Sequence, residues 1–185
     1  MRIISGFLKG RTINFLKNPI TRPLKDMVRE NIFNILIHSS HIKTKVDNSK
    51  ILDLYSGIGS FGIECISRGA KEVTFFDQDK KAVDLLEKNL INLSIINKSK
   101  IFNSNIEEAL INVKDKFDIL FLDPPFKDTK FIQNLETIKK NKIFSSNHVV
   151  IIHRERKTND NLNDNLKIVE TKQYGRSKII FGVFN

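Results

Sequence analysis

Ile51-Leu52-Asp53-Leu54-Tyr55-Ser56-Gly57-Ile58-Gly59-Ser60-Phe61-Gly62 decides the fold of this 185-residue chain. An apolar run ends in a glycine-rich turn, and a helical pattern over 61–68 follows, which Gly69 can stop. The same alternation then repeats. Strands are expected at 73–77, 100–103, 117–122 and 149–153, and helices at 80–93, 106–113 and 129–141. Strands alternating with helices predict an α/β fold with a mostly parallel, doubly wound sheet. Residues 166–174 and 177–184 read as a hairpin turning at Gly175-Arg176, which adds an antiparallel edge. The charged, Asn-rich stretch 154–165 is expected to be a mobile loop.

Upstream, residues 2–5 and 11–15 read as two short strands around Gly6–Gly10. Pro23 opens a helix in which Val28, Ile32, Ile35 and Leu36 recur at helical spacing. The polar residues 41–49 read as a linker. The expected organisation is therefore a hairpin and helix extension over 1–40 and a main domain over 50–185.

Composition narrows the function classes. No apolar run approaches the ~20 residues needed to span a membrane. Met1-Arg2-Ile3-Ile4-Ser5-Gly6-Phe7 shows no signal-peptide core, and the single Cys65 excludes an internal disulfide and a cysteine-rich metal site. A cytoplasmic protein without a metal centre is expected. The chain carries 31 Lys+Arg against 21 Asp+Glu, a formal net charge of +10. That excess suits RNA or DNA as a partner, although a solvated basic surface produces the same count.

In such a sheet, ligands bind beyond the carboxyl ends of the strands. Asp53, Asp77, Asn103 with Asn105, and Asp123 all fall at those ends. Gly57, Gly59 and Gly62 match G-x-G-x-x-G, which alone does not separate a nicotinamide dinucleotide from S-adenosylmethionine. Asp53 separates them: a carboxylate four residues before Gly57 suits the ammonium of a methionine moiety and would repel a pyrophosphate. Asp77, 20 residues after Gly57, suits a ribose diol in either cofactor. Tyr55 and Gln78 flank these positions as further cofactor candidates. Asn105 reads two ways, as an acceptor at an adenine edge or as the cap of a helix starting at Ile106 with Glu108 completing a capping box. Asp79 reads as the cap of the helix from Lys80.

Asp123-Pro124-Pro125-Phe126 follows the apolar strand 117–122 directly. Two prolines have fixed φ and no N–H, so carbonyls there are expected to face outward without competing donors. Asp123 adds an acceptor and Phe126 a stacking face. A flat base with an exocyclic amine fits that inventory.

These residues resemble the RsmD family of 16S rRNA guanine-N2 methyltransferases. The resemblance runs through Asp53–Glu64 and Ser67-Arg68-Gly69-Ala70, and through Arg2-Ile3-Ile4-Ser5-Gly6 with Lys9-Gly10-Arg11. It also covers Thr21-Arg22-Pro23, Asp26, Val28-Arg29-Glu30, Phe33-Asn34, Phe76-Asp77-Gln78-Asp79, Asp123–Phe126 and Tyr174-Gly175. It implies a Rossmann-like, seven-stranded class I methyltransferase fold with S-adenosylmethionine as donor. The implied acceptor is a guanine of 16S rRNA in the small ribosomal subunit or its precursor, met by a monomer. Asp77 stands where the family usually has Glu, Asn105 where many members have Asp, and His153-Arg154 where the family tends to be acidic. A histidine in that place is expected to be structural.

The expected mechanism is direct transfer to a flipped base. Asp123 and the Pro124 carbonyl accept from the amine, Pro125 stiffens the slot and Phe126 stacks. Lys9, Arg11, Arg22 and Arg29 are the expected phosphate contacts. Three rival readings are an adenine-N6 methyltransferase on DNA or RNA, a nicotinamide oxidoreductase and a non-catalytic RNA-binding module.

Overall fold

The computed structural model describes residues 1–15, 24 and 26–185. In chain order the elements are α1 (Asp26–His38), β1 (Lys50–Leu54), α2 (Ser60–Ser67), β2 (Glu72–Asp77), α3 (Lys80–Asn92) and β3 (Ser99–Asn103). After these come α4 (Ile106–Asn112), β4 (Phe117–Leu122), α5 (Phe131–Lys140), β5 (Phe144–Glu155), β6 (Lys167–Tyr174) and β7 (Ser177–Val183). Among the described residues the strands form one seven-stranded sheet in the order β3-β2-β1-β4-β5-β7-β6. The first five strands run parallel, and β7 is antiparallel to both β5 and β6.

The sheet is covered on both faces, which is why its inner strands carry apolar residues on both sides. Side chains alternate between faces with period two. Ile51, Phe75 and Phe121 face the core beneath α1, α2 and α3, whereas Leu52, Phe76 and Leu120 face α4 and α5. Phe33 of α1, Phe61 of α2 and Phe121 of β4 stack in a row, with centroids 5.3 and 4.0 Å apart. Gly62 lets α2 sit close to the sheet, because a Cβ there would collide with the Phe75 ring. Asp79 caps α3 as expected, its Oδ1 accepting from Lys81 N at 2.9 Å.

Three local expectations are corrected. The two N-terminal strands reduce to one antiparallel bridge, Arg2 to Thr12. The backbone there is claimed elsewhere: Ile4 N and Ser5 N donate to the Glu64 carboxylate at 2.8 and 2.9 Å, and Phe7 N donates to Ser67 O at 2.9 Å. Helix α1 runs from Asp26, while Pro23 lies outside the described residues. Residues 41–49 are packed: Ile42, Thr44, Val46 and Ser49 are buried, and Thr44 Oγ1 donates to Asn147 O at 3.2 Å. The stretch alternates like a strand, so His41, Lys43, Lys45 and Asp47 are the exposed half of a docked segment. Residues 154–165 are pinned: Arg154 lies in β5, and Leu162 and Asn165 are buried.

The N-terminal hairpin sits on the C-terminal ends of α2 and α3. Phe7 N and Leu8 N donate to Ser67, Arg11 Nη2 donates to Asn92 O, and Asn14 exchanges two hydrogen bonds with Asn89. Both helices start at the carboxyl end of the preceding strand, so the hairpin occupies the opposite end of the sheet.

Candidate active site

Beyond β1 the chain enters a tight loop with Tyr55, Gly57 and Gly59 at φ 58°, 53° and 77°. Two acids from neighbouring strands hold it. Gly57 N donates to Asp77 Oδ2 at 2.6 Å, and Gly62 N donates to Asp53 Oδ2 at 3.0 Å. Asp77 Oδ1 accepts from Asp79 N at 2.8 Å, and burial raises the Asp77 carboxyl against these bonds. Each carboxylate oxygen keeps a second lone pair, so Asp77 can hold the loop and still accept from a ligand.

Asp53 is 1% exposed. Its Oδ1 has no partner, and neither does the buried Oγ of Ser56. Burial pushes the Asp53 carboxyl well above the usual range, and the charges of Asp123 and Asp77 add to that. An unpaired buried acid beside a second acid suits a cation. The Gly57 Cα faces open space, with nothing within 4 Å of where a Cβ would stand. Tyr55 is half-buried and its hydroxyl accepts from Asn134 Nδ2 of α5 at 2.9 Å, with its phenol raised by burial and the nearby Asp128. Gln78 is exposed beside Asp77.

The Asp123–Phe126 slot opens next to this loop, because Asp123 N donates to Leu54 O at 3.3 Å. One expectation about it is overturned. The carbonyls are not free of donors. Arg154 Nη1 donates to Pro125 O and its Nη2 to Phe126 O, each at 3.0 Å, and Asp128 N also donates to Pro125 O. Arg154 is 1% exposed, its guanidinium is paired with Asp160 and lies 4.4 Å from the Phe131 ring centroid. The Pro124 carbonyl stands apart from that clamp. Phe126 is 38% exposed and meets the His153 ring edge-on at 5.6 Å, which leaves a phenyl face open.

His153 joins Asp123 to Ser177. Its Nδ1 lies 2.8 Å from Asp123 Oδ1 and its Nε2 lies 2.9 Å from Ser177 Oγ. In the neutral tautomer whose Nδ1–H donates to Asp123, Nε2 accepts from the Ser177 hydroxyl. Sequence reasoning set this residue aside as structural. The signal was its place: Leu122 pairs with Ile152, so the next residues of the two strands, Asp123 and His153, end side by side.

Asn105 is an exposed N-cap whose Oδ1 accepts from Glu107 N at 2.9 Å, so the bond goes to Glu107 rather than to Glu108. Arg29 is corrected outright as a phosphate contact. It is 0% exposed and donates to Arg2 O and Asp26, with Glu64 close by. Lys9 and Arg11 are exposed on the hairpin, at the far end of the sheet from the slot. Arg22 lies outside the described residues. Among the described residues no three His, Cys, Asp or Glu cluster to hold a metal. No described helix is long and apolar enough to cross a membrane.

A family model described as Conserved hypothetical protein 95 matches residues 1–183. A Buchnera aphidicola protein named ribosomal RNA small subunit methyltransferase D is 36% identical over 156 residues, covering 84% of this chain and 78% of its own. The Haemophilus influenzae protein of the same name is 33% identical over 159 residues, covering 84% and 79%. A solved Escherichia coli structure, provisionally described as a methyltransferase, superposes with TM-score 0.82 at 26% identity, covering 98% of this chain and 96% of that one.

Proposed function

The chain belongs to the Conserved hypothetical protein 95 family, the RsmD family, and we propose that it methylates the exocyclic N2 amine of a guanine in 16S rRNA. It is an S-adenosylmethionine-dependent rRNA methyltransferase. The observation that carries the finer reading is the joining of an amine-accepting slot to a cation-seeking loop by the Asp123 N to Leu54 O bond. In this reading residues 50–185 form the methyltransferase domain and residues 1–40 an extension on its back. The protein works as a cytoplasmic monomer on the small subunit or its precursor.

The residues present fit the cofactor. Asp53 would take the methionine ammonium, Asp77 the ribose diol and Gly57–Gly59 the close backbone passage, with Tyr55, Gln78 and Asn105 at the rim. When bound, S-adenosylmethionine supplies an electrophilic methyl group on a sulfonium. Asp123 and the Pro124 carbonyl accept the two N–H groups of the amine. This draws the nitrogen lone pair out of conjugation with the ring. Phe126 fixes the base plane by stacking. Asp123 then takes the proton released once nitrogen has gained its fourth bond, which needs no strong base.

His153 acts here as a positioning residue, holding Oδ1 of Asp123 so that Oδ2 faces the amine. His153→Leu is expected to lower kcat about 10- to 100-fold with little change in KM for either substrate. His153→Asn, which keeps an N–H near the position of Nδ1, should recover most of that loss. Equal losses in both variants, or a loss confined to KM, would remove the role.

Unmethylated small subunits incubated with radiolabelled S-adenosylmethionine, followed by mapping of the labelled base, test the function. N2-methylguanosine at a discrete rRNA position is the expected product. The slot accepts an adenine amine almost as well, so labelled N6-methyladenine in rRNA or duplex DNA would replace this reading with that one.

A further inference from the structure

Resting on the rRNA reading, we propose that a basic cleft formed by Arg156, Lys157 and Arg176 grips the RNA phosphates beside the target base. The cleft lies at the carboxyl end of the sheet, where β5 leaves the slot and the β6–β7 turn approaches it. It encloses about 520 Å³ and is lined by Glu155, Arg156, Lys157, Gly175 and Arg176. Arg156 N donates to Arg176 O at 2.7 Å, which closes the two strand ends on each other.

Charge and shape agree. Arg156 and Lys157 are exposed, and the Arg176 side chain is 77% exposed with one bond, to Glu155 Oε1 at 2.8 Å. Three cations thus face one acid. The neighbouring charges are engaged internally, Arg154 with Asp160 and Lys178 with the Thr158 carbonyl. Gly175 turns at φ 58° with open space where a Cβ would point, so a phosphate can approach its backbone.

The cleft is coupled to the slot through the chain itself. Arg154, which clamps the Pro125 and Phe126 carbonyls, lies two residues before Arg156. Ser177, which orients His153, follows Arg176 directly. At roughly 3.3 Å per strand residue, Arg156 lies about 7 Å beyond Arg154 along the chain. The N-terminal hairpin has exposed cations too, but at the opposite end of the sheet.

The test is titration of a labelled single-stranded rRNA fragment over a range of salt concentrations, alongside KM for small subunits. The variant Arg156→Gln/Lys157→Gln/Arg176→Gln is expected to lose 10- to 100-fold in RNA affinity. Its log Kd against log salt slope should fall by about 2, from three contacts at ~0.7 each. Its S-adenosylmethionine affinity and Tm should match the unmodified protein. Lys9→Gln/Arg11→Gln should leave RNA affinity and slope unchanged. The proposal is overturned if the triple variant keeps the full slope, if the hairpin variant loses it, or if polyglutamate competes as well as RNA. Failure of the unmodified protein to label rRNA would instead sink the functional reading, since fragment binding is measured without turnover.

Discussion

Asp123→Ala is expected to lower the rate of methyl transfer at least 10³-fold while S-adenosylmethionine affinity changes less than threefold. The loss corresponds to about 4 kcal/mol of transition-state stabilisation. Alanine removes the group proposed to localise the amine lone pair and to receive the proton. It strands the His153 Nδ1–H as well, which now faces Asp123 at 2.8 Å. The cofactor loop keeps its own supports, Asp53 to Gly62 N and Asp77 to Gly57 N. Asp123→Asn should fall less, because His153 can change tautomer, offer its Nε2–H to Ser177 and leave the amide oxygen for the amine. Single-turnover rates at saturating substrate, with calorimetry for the cofactor, measure both parts. A variant that keeps the unmodified rate would eliminate Asp123 from the chemistry.

Asp53→Ala should produce the opposite split. Cofactor affinity is expected to fall 100-fold or more, with RNA affinity unchanged. Oδ1 of Asp53 is buried without a partner, so the ammonium meets a carboxylate that nothing else neutralises. The pH dependence has a definite sign. Burial raises the Asp53 carboxyl well above 3.8, so the folded protein holds this proton to higher pH than the unfolded chain does. This contribution to folding stability is therefore greatest at low pH and declines as pH rises from about 3.8 toward the raised value. Cofactor binding has the reverse trend. A cation requires the ionised acid, so affinity climbs as pH rises over that window and binding releases a proton. Calorimetry in buffers of different ionisation heat should show proton release in the unmodified protein and none in the alanine variant. Identical pH profiles would remove Asp53 as the ammonium partner.

What the sequence made legible was local. The apolar runs and the Gly57–Gly62 turn reveal the parallel strands because each signal lies within a dozen residues. Asp79 was readable as a cap because a cap needs only the next two residues. What stayed hidden depends on distant partners. Arg29 looked like a surface cation, yet Asp26, the Arg2 carbonyl and Glu64 enclose it. Arg154 fell at the start of a charged, loop-like stretch, and its burial depends on Asp160 and on two carbonyls nearly 30 residues earlier in the chain. The hairpin strands failed because Glu64 takes their N–H groups. His153 required the register of β4 against β5, which no local pattern specifies.

The Arg154 clamp has a consequence for how the target is selected. Two carbonyls of the slot are held from behind before any RNA arrives, and the acid at its mouth is already braced. A preorganised slot adds little discrimination among bases that are chemically identical. The cost that differs between them falls on the RNA, where lifting a base from its stack takes a few kcal/mol. A difference of 1.4 kcal/mol in that cost changes the relative rate tenfold. The base that reacts is then the one its rRNA holds least firmly, and the folding state of that RNA sets the timing of its modification.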